Sequence, residues 1–284
     1  LKQCKEKSLI NDRQFGFKFK HSTIHAIHLL VSNIQWSLNK SLGTGACLVD
    51  FEKAFDNIWI PGLISKLLNY GFPIYLIILI HNMLNNKCFQ VYDGKSISSR
   101  KFLIINGLHQ GTVNAPILFN LYIHDLLNKI ENIIGFADDI VIYHSDDKIE
   151  KINEKLQKYF YVIEKYTIDW QMKINLNKCE TILFRPPVGK CNSNIKRNWK
   201  AFNIKSLNNE LIPNKQIVKY LGIHLDKFLY FNDHINLQLR KAQKAFFLYK
   251  KLFFSKFIKA RVKIIMYQSL IRPILTYGCQ IWYN

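Results

Sequence analysis

Apolar positions along this chain change their spacing several times, and each change marks an element. Between His21 and Lys40 the residues Ile27, Leu30, Val31, Ile34 and Leu38 recur every three or four positions. This spacing predicts a helix over 21–40, with Ser22 or Thr23 as its cap. Gly45-Ala46-Cys47-Leu48-Val49-Asp50-Phe51 is a run of small and apolar residues, read as a buried strand ending in Asp50. Residues 61–85 read as one or two helices, broken near Gly71-Phe72-Pro73. The greasiest run, Pro73-Ile74-Tyr75-Leu76-Ile77-Ile78-Leu79-Ile80, is far shorter than the ~20 residues a bilayer needs and reads as a buried helix. Asp93-Gly94 is a turn signal between Phe89-Gln90-Val91-Tyr92 and Lys101-Phe102-Leu103-Ile104, which predicts a hairpin over 88–105. Pro116 opens a helix that runs to about residue 130.

In the second half, Ile133-Ile134-Gly135 and Ile140-Val141-Ile142-Tyr143 flank Phe136-Ala137-Asp138-Asp139, a strand, a tight turn and a second strand. Asp147 with Glu150 three residues on marks the next helix start. That helix has an apolar face of Ile149, Ile152, Leu156, Phe160 and Ile163 and pairs Glu154 with Lys158. Strands follow at 180–184 and 216–225. Between them, residues 185–200 read as a basic loop containing Pro186-Pro187, Gly189, Lys190, Lys196, Arg197 and Lys200. From Asn232 to about 282 the pattern is helical again. Ile235, Leu239, Ala242, Phe246 and Tyr249 form a stripe, with Arg240, Lys241, Lys244, Lys250 and Lys251 on the other faces. The order implies an α+β domain, an antiparallel sheet with packed helices, followed by a mainly helical unit beyond about residue 226.

Charge adds a partner to this outline. Forty Lys and Arg against 20 Asp and Glu leave a formal charge of +20, which points to a polyanion, nucleic acid first. A generically basic protein from an AT-rich genome has the same composition. The six Cys (4, 47, 88, 179, 191, 279) form no C-x-x-C pair, which speaks against structural zinc and a disulfide framework and for reduced thiols inside a cell. Leu1-Lys2-Gln3-Cys4-Lys5-Glu6-Lys7 lacks an initiating Met and a signal-peptide core, and reads as the start of a piece of a longer polypeptide.

Asp138 and Asp139 carry the chemistry. Adjacent carboxylates repel and add nothing to packing, but they are hard oxygen donors suited to divalent cations. A solvated turn is the bland alternative, because Asp favours turns. The second acidic strand end, Asp50, shifts the balance: two buried strands that each deliver Asp at an end make a scaffold for two-metal phosphoryl transfer.

At this point a resemblance becomes specific. Leu48-Val49-Asp50-Phe51-Glu52-Lys53-Ala54-Phe55-Asp56 resembles the first palm motif of reverse transcriptases from non-LTR retrotransposons. Gly107-Leu108-His109-Gln110-Gly111 and the residues that follow to Tyr122 resemble their second motif, and Phe136-Ala137-Asp138-Asp139 the third. Tyr220-Leu221-Gly222-Ile223-His224-Leu225-Asp226 is similar to the block that grips the primer. Gln14-Phe15-Gly16-Phe17 with His21-Ser22-Thr23, and Arg272-Pro273-Ile274-Leu275-Thr276-Tyr277-Gly278, are similar to the jockey-type branch. The blocks stand in the family's order and span nearly the whole chain.

The resemblance implies a right-hand polymerase, with partial fingers and palm over 1–225 and a helical thumb over 226–284. It implies RNA-directed DNA polymerase activity with two Mg²⁺ ions, Mn²⁺ as a substitute, an RNA template, a DNA primer and deoxynucleoside triphosphates, away from any membrane. The site of action would be nuclear, with assembly in the cytoplasm. Asp50 and Asp138 would bind both metals, with the Phe51 carbonyl as an added ligand and Asp139 in support. Asp56 would hydrogen-bond a nearby loop. Phe55 would block a ribose 2′-hydroxyl, Gln110 and Gly111 would meet the templating base and nucleotide, and Lys178 would sit near the triphosphate. Tyr220, Leu221 and Gly222 would place the primer end. Lys18, Lys20 and His21 would touch template phosphates, and Lys241 and Lys244 the duplex.

The chain departs from the family in carrying His109 where Pro is usual and Asn114-Ala115 where Ser-rich residues are usual. The family's upstream fingers block, endonuclease and zinc knuckle have no counterpart in it. A binding-only remnant of such an element and another palm-fold nucleotidyl enzyme, such as a cyclase, are the competing readings.

Overall fold

A computed structural model describes residues 9–283 except 86, 188 and 190–192. Residues 1–8 (Cys4 among them), Lys190 and Cys191, which entered the sequence reading, lie outside the described residues, as does the Arg197 side chain. The chain runs α1 (Thr23–Asn39), β1 (Gly43–Val49), α2 (Ile60–Asn69), α3 (Ile74–Leu84), β2 (Lys87–Phe89), β3 (Phe102–Ile104), α4 (Asn114–Lys129), β4 (Ile133–Phe136), β5 (Asp139–Asp146), α5 (Ile149–Asp169) and β6 (Glu180–Phe184). It continues with α6 (Ser193–Asn198), β7 (Ile217–Tyr220), β8 (Ile223–Asp226), α7 (Asn232–Phe253), α8 (Ala260–Met266), α9 (Arg272–Thr276) and α10 (Cys279–Trp282).

The central sheet has the order β4-β5-β1-β6, with each neighbouring pair antiparallel. Its inner strand β1 is covered on both faces, and side chains alternate between two cores as the period of a strand requires. Cys47 and Val49 join Ile133, Ile140 and Ile142 in a core closed by α2, α4 and α5. Ala46 joins Ile134 and Val141 in a second core, closed by α1 and the β7–β8 hairpin. Small residues on β1 let a helix come close: a Cβ on Gly45 would lie 2.6–2.7 Å from Ile152, Leu156 and Phe202.

The sequence reading fits most elements. Ile27, Leu30, Val31 and Ile34 are buried on α1, whose Ser22 cap donates its backbone N–H to His25 Nδ1 at 3.0 Å. All five apolar residues expected on α5 are fully buried, each contributing on the order of 1.5–3 kcal/mol. The Asp93-Gly94 turn forms, with Asp93 Oδ1 accepting from the N–H of Lys95 and Ser96. Among the described residues no helix is long and apolar enough to cross a membrane.

Six expectations need correction. On α3 only Ile77 and Leu84 are buried, while Ile74, Tyr75, Ile78 and Leu79 stand open, because the helix packs on α2 by one side only. On α7 Ala242 is buried as expected and Phe246 and Tyr249 are partly buried, but His234 and Gln238 take the inner positions of the first turns, and Ile235 and Leu239 face outward. Helix α5 starts at Ile149 after Lys148, since Asp146 Oδ1 takes the Lys148 N–H and Lys151 pairs with Asp146 and Asp147. Among the described residues no ion pair joins Glu154 to Lys158. The 185–200 loop contains α6, and the 216–225 strand is two strands with a turn at Leu221-Gly222.

Lys66, a helix lysine that reads as solvated, is 2 % exposed. Its ammonium donates to the Tyr122 carbonyl, to Asp125 and to the Tyr166 hydroxyl, and lies 3.7 Å from the centre of the Trp170 ring. Burial lowers its pKa to about 8, against the pull of Asp125. The unfolded chain therefore holds this proton more tightly than the folded one, and stability rises as the pH climbs above 8. Burial also pushes the Tyr70, Tyr122 and Tyr166 hydroxyls up, so their contribution is present below pH 10 and fades above it. Between pH 8 and 10 the wild type should gain about 2 kcal/mol relative to Lys66→Met in denaturant titrations. A constant difference between the two proteins would show that the buried ammonium keeps its ordinary pKa.

Candidate functional site

The β1–β5 ladder sets the geometry. Val49 pairs with Ile140, so Asp50 and Asp139 stand side by side, one step past that pair. Asp138 is at the tip of the β4–β5 turn, which is closed by the pairing of Phe136 with Asp139. Ala137 in that turn has φ 56°, a left-handed value that an ordinary residue adopts only when it is held there.

Gln14 does the holding. It is 1 % exposed, its Oε1 accepts from the N–H of Ala137 and of Gly16 at 2.9 Å, and its Nε2 donates to the Ala137 carbonyl at 3.3 Å. The backbone joins in: Gly135 N–H donates to the Arg13 carbonyl and Phe15 N–H to the Gly135 carbonyl, both at 2.8 Å. Gly16 permits the approach, because a Cβ there would lie 2.2 Å from the Ala137 nitrogen. The sequence reading placed Gln14-Phe15-Gly16-Phe17 in a family block without a role. Its immediate neighbours, Arg13 and Phe15, do not mark Gln14 as a buried residue.

The carboxylates act on one another. Burial, and after it the charge of Asp50, pushes Asp138 above the ordinary carboxylate range. Asp139, though open to solvent on one side, is raised by local desolvation and then by Asp138 and Asp50. Among the described residues no three His, Cys, Asp or Glu side chains are close enough to hold an ion as they stand. Lys178 Nζ is 3.9 Å from Asp50 Oδ2, and its loop is docked on the strand end by an Asn175 N–H donated to the Asp50 carbonyl. Phe51 is buried and bridges Ile174 across the same junction.

Two clefts meet at the turn. The first, about 490 Å³, is lined by Asp138 with Phe17, Phe55, Gln110, Gly111 and Pro116. Phe55 is half-buried, stacked on Phe119 at 4.5 Å. Gln110 Nε2 donates to Asp56 Oδ1 at 2.7 Å, which matches the role expected of Asp56. The loop before Gln110 is fastened to the same segment, with Leu108 N–H on the Phe55 carbonyl and Gly107 N–H on the Ile58 carbonyl.

The second cleft, about 120 Å³, is lined by Asp50, Asp139, Lys178, Tyr220 and Leu221, with Glu180 and Lys219, which the sequence reading passed over. Asp50 thus shares a cleft with Asp139, and Asp138 faces the other. Tyr220 is 2 % exposed and its hydroxyl has no partner among the described residues, while Leu221 and Gly222, at the tip of the block, are partly open. Lys18 is tied to Asp12 at 2.8 Å, Lys20 lies over the Phe19 ring, and His21 is turned to the Phe19 carbonyl. Lys241 and Lys244 are exposed on α7.

A family model described as reverse transcriptase (RNA-dependent DNA polymerase) matches residues 1–225. The RNA-directed DNA polymerase from mobile element jockey of Drosophila melanogaster is 30 % identical over 281 residues, covering 95 % of this chain and 29 % of that protein. The probable RNA-directed DNA polymerase from transposon BS of the same organism is 28 % identical, over 98 % of this chain and 30 % of that protein. The chain spans about three-tenths of the length of these relatives. Among solved structures, telomerase from Candida albicans in complex with a fragment of telomeric RNA aligns with a TM-score of 0.51 and 10 % identity, over 85 % of this chain and 42 % of that one. Telomerase from Candida tropicalis in a similar complex gives 0.51 and 11 %, over 99 % and 44 %. At such identity the likeness is one of fold, and it agrees with a polymerase palm.

The Gln14 clamp is testable without any activity. Gln14→Leu leaves the Gly16 and Ala137 amides without an acceptor, a loss of about 1–3 kcal/mol for each. Thermal denaturation should show that loss, and hydrogen exchange should show the Ala137 amide opening faster. Unchanged protection at Ala137 would remove the clamp.

Proposed function

The chain belongs to the reverse transcriptase (RNA-dependent DNA polymerase) family, and on that premise we propose that it is the polymerase core of a non-LTR retrotransposon protein. It would add deoxynucleotides to a DNA primer on an RNA template. One observation carries the reading: the ladder that sets Asp50 beside Asp139 also leaves Asp138 at a turn between two clefts. In this proposal residues 1–225 are the palm with partial fingers and 226–284 the thumb.

The donor set fits hard divalent cations, since Asp138 and Asp139, raised by burial and then by neighbouring carboxylate charge, are relieved by positive charge. Asp50, Asp138, Asp139 and the Phe51 carbonyl are the groups that would hold them. When bound, two Mg²⁺ ions, or Mn²⁺ in their place, supply the positive charge that acidifies the primer 3′-hydroxyl and neutralises the departing pyrophosphate. The other roles belong to the chain. The Phe55 ring, backed by Phe119, fills the space a ribose 2′-hydroxyl would need in the first cleft. Gln110 and Gly111 form the edge of that cleft that meets the templating base and the nucleotide. Lys178, beside Asp50, is placed to give a charge or a proton to the leaving phosphates. Tyr220 and Leu221, in the cleft beside Asp139, and the adjoining Gly222 hold the primer end. Lys241 and Lys244 take duplex phosphates; Lys20 takes template phosphates, and Lys18 does so on giving up Asp12.

Primer extension by the full-length protein is the test. Asp138→Asn should reduce extension roughly 10²-fold or more while leaving duplex binding and melting temperature near wild type. Extension that survives this change would end the two-metal assignment. Phe55→Ala should let ribonucleoside triphosphates compete better, with a smaller loss of deoxynucleotide use. An unchanged sugar preference together with a lowered melting temperature would return Phe55 to the core.

A further inference from the structure

The Arg272–Gly278 block resembles a family signature, yet the reading above gives it no work. In the structure its Tyr277 reaches the tip of the β7–β8 hairpin. The hydroxyl donates to the Leu221 carbonyl at 2.7 Å and is 3.4 Å from Thr23 Oγ1 at the start of α1. The ring lies against Gly222, where a Cβ would stand 3.0 Å from Cε1 and 3.2 Å from the hydroxyl oxygen. The next residue, Gly278, has φ 69°, and a Cβ there would lie 2.3 Å from Ile223 Cδ1. Trp282 Nε1 fixes the other side of Tyr277 by donating to its carbonyl at 2.9 Å. Two blocks separated by 56 positions therefore interlock, each with a glycine where the other comes close.

The tip they fix is strained. Leu221 has φ 45° and Gly222 φ 88°. A leucine keeps a left-handed backbone only where its surroundings hold it. The tip also borders the cleft that contains Asp50 and Asp139. A freed Leu221 carbonyl would let the tip relax, and whatever rests on it would move relative to the carboxylates.

We propose that Tyr277 is a positioning residue: its hydroxyl, by holding the Leu221 carbonyl, sets where the end of the nucleic-acid strand lies relative to Asp50 and Asp139. The inference rests on the polymerase reading and assigns the C-terminal block a part in it. The ring and the hydroxyl have separable roles. The ring packs on Gly222, and the hydroxyl sets the tip.

The experiment compares wild type, Tyr277→Phe and Tyr277→Ala as full-length proteins. The readouts are steady-state primer extension, melting temperature, and the fluorescence of a 2-aminopurine at the primer 3′ end. Tyr277→Phe should raise KM for primer–template about five- to tenfold, the loss of one hydrogen bond. It should leave kcat, KM for the nucleotide and the melting temperature near wild type, and change the 2-aminopurine signal. Tyr277→Ala should add a drop in melting temperature. A Phe variant with wild-type KM and an unchanged 2-aminopurine signal overturns the proposal and leaves Tyr277 a packing residue. Equal losses in every parameter, in step with the melting temperature, overturn it as well. If the wild-type protein extends no primer, the polymerase reading fails, and this inference fails with it; that result differs from an active wild type with an unaffected Phe variant.

Discussion

Holding Asp50, Asp138 and Asp139 together at strand ends is the constraint the rest of the structure has to meet. Nothing in the acids themselves keeps them near one another: burial raises Asp138 and Asp139 above the ordinary carboxylate range, and the charge of Asp50 adds to both. The restraint comes from β1, whose odd residues belong to one core and whose even residues belong to another. A slip of one residue against β5 would exchange the two sets and turn the apolar side chains to the wrong faces. Double burial thus fixes the register, and the register fixes the distance between Asp50 and Asp139. Asp50 and Asp139 sit one residue beyond a pairing, Val49 with Ile140, whose two residues are both buried.

Much of this was legible, and the reason is the local nature of the signals. The α5 face and the strand ending at Asp50 follow from spacing within a short window. The Asp56–Gln110 bond was anticipated only in kind, through resemblance, because its partners are 54 positions apart. Gln14 was missed because its meaning lies in Ala137, 123 positions away. Lys66 was missed because its cage is assembled from two other helices, α4 and α5, and a lysine on a helix ordinarily points to water. On α3 the sequence shows how apolar a segment is but says nothing of whether another element covers it. On α7 a stripe of Ile235 and Leu239 lost to His234 and Gln238 by one helical position, because the helix is seated by its rings: His234 lies beside Trp282 and His224.

The two clefts share one turn, so they are not independent. Asp138 faces the first cleft and Asp139 the second, on adjacent residues of one backbone. Any shift of Ala137 moves both. A clamp such as Gln14, which lines neither cleft, is therefore felt on both sides of the turn at once.

The Gln14–Ala137 bond also bears on how the protein is made. A ribosome releases residue 14 long before residue 137, and a contact of such separation forms only after the intervening chain has been ordered. Without its clamp the turn has no reason to keep a left-handed alanine. The carboxylate turn should thus take its final shape late in folding, after α1, β1 and α4 have met, and a partly folded chain would carry all three acids without the arrangement that makes them useful.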